Sequence, residues 1–192
     1  AGLIGHQLDA LAGQVEALGV VELHVADAPA LEKYNALTHS RTLAAMIQKA
    51  DPQVVLLAAS FMGRDLAPRA AVRLDAGLAT DCTEVDLDST GALVVRRPIY
   101  NGKAFCRVHF NPKKRQIASV RPNTFAMPTA GSSRAARVAF AFSDDSGDAR
   151  QKTVEIARTG GVEKDVTEAS IVVSGGRSLK SEDNFKIIYE LA

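Results

Sequence analysis

The stretch IVVSGGRSLKSEDNFKIIYELA, residues 171 to 192, combines residue types suited to binding an anion. An apolar run, Ile171 to Val173, leads into Ser174-Gly175-Gly176-Arg177, and Phe185, Ile188, Tyr189 and Leu191 then recur at roughly helical spacing. Ser181 suits an N-cap, with Glu182 and Asp183 in the first turn. A strand turning through paired glycines into a helix exposes backbone N–H groups where the helix dipole favours negative charge, which is the chemistry of phosphate binding. The same glycines serve equally in a tight turn, where they supply positive φ. The three spaced glycines of dinucleotide sites and the Gly-Lys-Ser/Thr ending of a P-loop are both missing.

Other chemistry-bearing residues are dispersed. Cys82 and Cys106 are too far apart for a metal pair, so they read as reduced core residues of an intracellular protein. His6, His24, His39 and His109 form no spaced group, and no metal site is expected. A formal charge of +1 gives no electrostatic case for nucleic acid or a membrane surface, and no apolar run reaches the roughly twenty residues a spanning helix needs. The opening residues do not resemble a signal peptide. The chain starts without Met inside what reads as an apolar helix, which points to a segment upstream.

The elements that must position the glycine loop begin with Leu8, Leu11, Val15 and Leu18, spaced as a helix over 8–18 that Gly19 stops. VELHVAD follows as a strand. Pro29 opens a second helix carrying Leu31, Tyr34, Leu37, Leu43, Met46 and Ile47, and Asp51-Pro52 closes it. QVVLLAAS, 53–60, is an apolar run expected of a parallel strand covered on both faces. GRDLAPRAAVRLDAGLATD reads as a helix with Arg64 and Asp65 at its mouth and Pro68 in its first turn. Asp65 is expected to complement the helix N-terminus, and Arg64 and Arg69 to form ion pairs or meet a partner subunit.

This alternation predicts a doubly wound α/β fold with a largely parallel sheet, Rossmann-like. Residues 83–125 then read as antiparallel strands, with TEVDLD, ALVVRRPIY, KAFCRVHF and RQIASVRPNTF separated by turns at Ser89-Thr90-Gly91, Asn101-Gly102 and Asn111-Pro112. Arg96-Arg97 and Lys113-Lys114-Arg115 read as solvated hairpin faces. Residues 126–150 read as mostly loop, and QKTVEIAR, 151–158, as a strand. The final strand–helix pair cannot bury both its apolar faces alone and belongs with a further unit.

The motifs GRDLAPRAAVRLDAGLATDCTEV, RRPIYNGKAFCRV, SVRPNTF and IVVSGGRSLKSEDNFKIIYELA, in this order, resemble those of electron transfer flavoprotein alpha subunits. The resemblance implies a scaffold domain over 1–165, adenine-nucleotide-hydrolase-like, that packs on a beta subunit, and the first strand–loop–helix of an FAD-binding α/β domain over 166–192. It implies an electron carrier, not an enzyme, in a heterodimer. Electrons would come from acyl-CoA dehydrogenases of fatty acid β-oxidation or similar enzymes and pass to a quinone oxidoreductase or another acceptor, in a bacterial cytoplasm or mitochondrial matrix. Arg177, beside Gly176, matches the family's flavin-contacting arginine, a fixed cation able to stabilise a negatively charged reduced flavin. Ser178 stands where the family usually has Gly. The family's opening strand is not recognisable before residue 1 and its later FAD motifs do not follow residue 192, so the FAD site is expected to be incomplete here.

Two other readings compete. The Ser-Gly-Gly element is similar to the PP-loop of ATP pyrophosphatases, but Arg177-Ser178 departs from its pattern. Alternatively the chain is a docking fragment without chemistry of its own, built on the 83–125 segment and the α/β layer.

Overall fold

The computed structural model describes residues 1–129, 131, 134–143, 151–157, 166, 169 and 171–192. The chain divides into two compact units, Ala1–Ile156 and Ala157–Ala192.

The first unit runs β1 (Gly2–Gly5), α1 (Asp9–Glu16), β2 (Glu22–Asp27), α2 (Ala36–Ala50), β3 (Val54–Ala58), α3 (Phe61–Arg73), β4 (Gly77–Cys82), β5 (Glu84–Leu87), β6 (Leu93–Ile99), β7 (Ala104–His109), β8 (Gln116–Val120) and β9 (Ala136–Ala139). Its strands form two parallel sheets, ordered β1-β2-β9 and β3-β8-β4, and one antiparallel sheet, β5-β6-β7. The α/β class with an antiparallel segment is therefore as the sequence pattern predicts.

Several boundaries differ, each for a local reason. Gly2–Gly5 is a strand, not part of a helix, and pairs in parallel with β2. The second helix is broken: a 3-10 turn, Pro29–Leu31, precedes α2, and the Asn35 side chain caps α2 by accepting from the N–H groups of Leu37 (3.0 Å) and Thr38 (3.2 Å). Asp51, with φ of 46°, ends it where Asp51-Pro52 was expected to.

The α3 helix starts earlier than its charged residues suggest. Ser60 caps it through the Gly63 N–H at 3.2 Å, so Pro68 lies in the helix interior and Asp65 beyond the first turn. Without an N–H, Pro68 leaves the Arg64 carbonyl without its helical donor. Burial of Ala67, Ala70 and Ala71 against Leu43, Ile47 and Ile117 offsets that cost. The helix ends at Arg73, the chain turns at Asp75 (φ 46°), and GLATD, expected as the helix's continuation, lies in β4.

QIASV was expected to extend the antiparallel meander. It is instead β8, the central strand between β3 and β4. Gln116, Ile117, Ala118 and Ser119 are all buried, the pattern of a strand covered on both faces. Its Gln116 side chain accepts from the Leu93 N–H at 2.6 Å, tying β6 to β8. The double burial expected of β3 belongs to β8, since β3 lies at the sheet's edge and Leu56 is 51% exposed. An apolar groove of about 660 Å³, walled in part by Gly2, Val21, Leu43, Met46 and Leu57, borders it.

Within the stretch expected to be mostly loop, Ala136–Ala139 forms β9 alongside β2. Residues 151–157, expected as a strand ending at residue 158, join no sheet; residue 158 lies outside the described residues. Their polar groups serve the chain before α2: the Gln151 carbonyl accepts from Asn35 Nδ2 (2.8 Å), Thr153 donates to the Tyr34 carbonyl (2.7 Å) and the Val154 carbonyl accepts from Lys33 Nζ (3.1 Å).

The second unit contains 3-10 turns at Arg177–Leu179 and Glu182–Phe185 and a short helix, α4 (Lys186–Leu191). Ile171 to Val173, expected as a buried strand, pairs with none of the described strands, and Ile171 is 82% exposed. The expected boundary at 165/166 and most of DVTEAS, 165–170, fall outside the described residues.

Candidate functional site

The glycine loop is built differently from a strand-to-helix phosphate cradle. Gly175 and Gly176 do not adopt positive φ, so the tight-turn reading does not describe them either. Gly176 is extended, with φ of −130° and ψ of −172°. Gly175 sits in a crowded place: a Cβ there would lie 2.5 Å from Leu179 Cδ1 and 3.2 Å from both Ile188 Cγ1 and Phe185 Cε1, so these side chains would have to shift. At Gly176 a Cβ would meet nothing within 4 Å, leaving open space above the backbone. Arg177 follows at the start of a 3-10 turn, exposed and without an ion pair among the described residues. Two 3-10 turns separate the loop from α4, which is six residues long. A helix dipole at the loop's exit is therefore not available, and Arg177 is the loop's source of positive charge. Ser181 occupies the expected cap position, but of the second 3-10 turn and without a side-chain hydrogen bond.

A second set of polar residues gathers in the first unit at the carboxyl ends of β3, β8 and β4, the edge where open α/β sheets bind ligands. A register shift in β4 between Ala79 and Cys82 places Asp81 at φ of 58°, its N–H donated to Ser119 Oγ at 3.1 Å. The Asp81 carboxylate accepts from Arg121 Nε at 3.0 Å and Nη2 at 2.6 Å. Arg64, at the start of α3, reaches the same carboxylate at 3.9 Å and donates to the Ala59 carbonyl. The Arg121 hydrogen bonds, with added charge from Arg64 and Arg97, hold the Asp81 carboxyl below its ordinary range. Arg97 comes from β6, and its Nε is buried without a hydrogen-bond partner among the described residues.

Asp65 does not complement the helix terminus as expected. It accepts from Arg69 Nε at 2.8 Å, one turn on, and from the Tyr34 hydroxyl at 2.7 Å. Both bonds lower the Asp65 carboxyl, Arg69 first, while burial and Asp65 push the Tyr34 phenol up. Arg69 thus forms the expected ion pair. Among the other basic pairs, Arg96 is bound to Glu84 and stacks 3.8 Å from the centre of the Phe105 ring. Lys114 and Arg115 pair with Asp75 (2.9 Å) and Asp51 (2.5 Å). Cys82 is buried as expected, but Cys106 is exposed on β7. Burial raises the Cys82 thiol.

The sequence reading singled out Arg64 but neither Asp81 nor Arg121 as a site residue. Their signal is positional: each follows a run of apolar or small residues that ends a parallel strand. Recognising it required placing QIASV in the parallel sheet.

Residues 2–145 match the electron transfer flavoprotein domain family. The electron transfer flavoprotein subunit alpha of Thermoanaerobacterium thermosaccharolyticum is 35% identical over 191 residues, which is 99% of this chain and 58% of that protein. The Bacillus subtilis protein of the same name is 32% identical over 190 residues, again 99% and 58%. Protein FixB of Bradyrhizobium diazoefficiens is 32% identical over 166 residues, 84% of this chain and 44% of its own length. The chain thus spans just over half the length of the alpha subunits it is similar to.

Proposed function

This chain belongs to the electron transfer flavoprotein family, and we propose that it is the alpha-type part of a two-subunit electron carrier that uses FAD. Electrons enter from acyl-CoA or similar dehydrogenases and leave for a quinone oxidoreductase or another acceptor. Residues 1–165 act as the scaffold that docks a beta subunit, and 166–192 begin the FAD-binding domain. The observation that carries this reading is the free guanidinium of Arg177 beside the open backbone of Gly176.

These residues fit part of a flavin site. Gly176 lets a ligand approach the backbone, and Arg177 offers an always-charged donor fork with no competing carboxylate among the described residues. Bound FAD supplies the electron-transfer chemistry. Arg177 would orient its polar edge and lower the energy of added negative charge.

Docking is supported by apolar residues left on the surface of the first unit. Phe61 is 84% and Met62 56% exposed at the start of α3, and Tyr100 and Phe105 stand out from the β6–β7 hairpin. Isolated exposed apolar residues are ordinary, but aromatics on a helix start and a hairpin suit a partner surface. The bacterial sources of the relatives favour a cytoplasmic carrier, and among the described residues no helix is long and apolar enough to cross a membrane.

Replacing Arg177 by Ala and Phe61 by Asp in the complex with the beta subunit separates the two roles. The first change is expected to weaken FAD retention with the complex intact, the second to weaken the complex. FAD binding unaffected by Arg177→Ala would refute the assignment of that residue.

A further inference from the structure

A cavity of about 550 Å³ opens in the first unit beside the Asp81–Arg121 pair, walled by Asp81, Arg97, Tyr100, Asn101, Gly102 and Arg121. Its charge is unbalanced. Arg97 and Arg121 line it with the single carboxylate of Asp81, which leaves one positive charge in excess, and Arg64 reaches the same carboxylate from beyond the lining. Both oxygens of that carboxylate accept from Arg121, whereas Arg97 Nε has no hydrogen-bond partner among the described residues. The other acidic residues close to this segment have their own cations: Glu84 holds Arg96, and Asp65 holds Arg69.

Arg97 is the unusual member. A buried guanidinium N–H without an acceptor is costly, and such groups mark places where a missing partner belongs. Arg97 lines the cavity while its Nε lacks an acceptor among the described residues. The opposite wall is the Tyr100–Gly102 turn, whose three residues hold φ of 50°, 54° and 84°. The turn carries the amide of Asn101 as a further donor. Arg64 reaches Asp81 from the start of α3, at the carboxyl edge of a parallel sheet.

We infer that this cavity binds a small phosphate-class dianion, held between Arg97 and Arg121 and bounded by the Tyr100–Gly102 turn. The planar guanidinium groups of Arg97 and Arg121 match the geometry of an oxyanion, and the excess positive charge of the lining favours it. A concave site of this size suits a small molecule's phosphate group better than a flat protein surface. The site is in the first unit, does not use Arg177, and stands or falls independently of the flavin reading.

The test is calorimetric titration of the intact chain with inorganic phosphate at low ionic strength, repeated with Arg97→Gln and Arg97→Lys. Arg97 has no hydrogen-bond partner on its Nε, so its replacement by Gln leaves the Asp81–Arg121 pair in place; circular dichroism checks the fold. Binding by the parent chain, at least tenfold weaker for Arg97→Gln, partly restored by Arg97→Lys and reduced by added salt, is the expected result. Sulfate should compete, as a dianion of similar shape. No binding at about 10 mM phosphate, or equal binding by Arg97→Gln, would overturn the proposal, the latter showing an adventitious ion only. Phosphate binding absent, with Arg97→Gln weakening association with a beta subunit, would assign the cavity to a protein carboxylate and equally overturn it. If Arg97→Gln does not fold, the Gly102 amide resonance of the parent chain gives the second reading: it should shift on phosphate addition, and an unmoved resonance counts against the site.

Discussion

Arg121 grips Asp81 with two parallel hydrogen bonds, Nε at 3.0 Å and Nη2 at 2.6 Å, and so joins the end of β8 to the bulged end of β4. The bulge turns the carboxylate toward this pair, and the Arg121 N–H bonds the Cys82 carbonyl at 2.9 Å. One side chain and one backbone bond therefore fix both strands where the cavity opens.

The pair makes stability depend on pH in a definite direction. The Asp81 carboxyl is lowered in the folded chain, chiefly by Arg121. Its contribution is fully present above the unfolded value of about 3.9 and is lost as pH falls through the lower folded value. Arg121→Ala should cost about 1 kcal/mol at neutral pH, since both groups retain some solvent exposure. That difference should shrink below about pH 4. Urea midpoints measured at neutral and acid pH check it; a difference constant with pH would show that the loss is one of packing.

Gly63 is fixed by backbone contact. A Cβ there would stand 1.8 Å from the Ala58 carbonyl oxygen, and neither atom can rotate away. Gly63→Ala should destabilise the first unit by about 3 kcal/mol, seen as a lower thermal midpoint. A shift within error would contradict the close approach of β3 and α3.

Asn35→Ala removes the cap of α2 and the bond to the Gln151 carbonyl. The expected loss is about 1 kcal/mol, with Asn35→Asp restoring the cap but not the bond to Gln151. Chemical denaturation of the three proteins separates the two contributions.

In the glycine loop the two positions should differ. Gly175→Ala must displace Leu179, Phe185 or Ile188, whereas Gly176→Ala meets open space. Hydrogen exchange over 177–191 should rise with the first change and stay level with the second. Any flavin effect of Gly176→Ala would then come from its ligand-facing side.

The parallel layers were legible because α2 packs through periodic Leu43, Met46 and Ile47, and β2 is a short strand with Leu23, Val25 and Ala26 buried. The sequence reading failed at β8. Lys113, Lys114 and Arg115 look like a hairpin flank, yet Lys114 and Arg115 answer Asp75 and Asp51 beside the starts of β4 and β3. Helix periodicity also misled at α3, since AVRLDAGLA continues an apolar rhythm past the Asp75 turn that begins β4. Family resemblance singled out Arg177, whose flavin role is a proposal, but periodicity could not show that its loop lacks a paired strand among the described residues. The Asp81–Arg121–Arg97 grouping was illegible because it depends on how β4, β6 and the end of β8 are arranged, which needs β8 placed in the parallel sheet beside β4.

The most direct test of the alpha-subunit reading is the mass, by light scattering after gel filtration, of this chain mixed with the electron transfer flavoprotein beta subunit from the same source. A one-to-one complex, weakened by Phe61→Asp, is the predicted result. Two separate species at micromolar concentration, with the chain folded, would contradict the claim that residues 1–165 are a docking scaffold for that subunit.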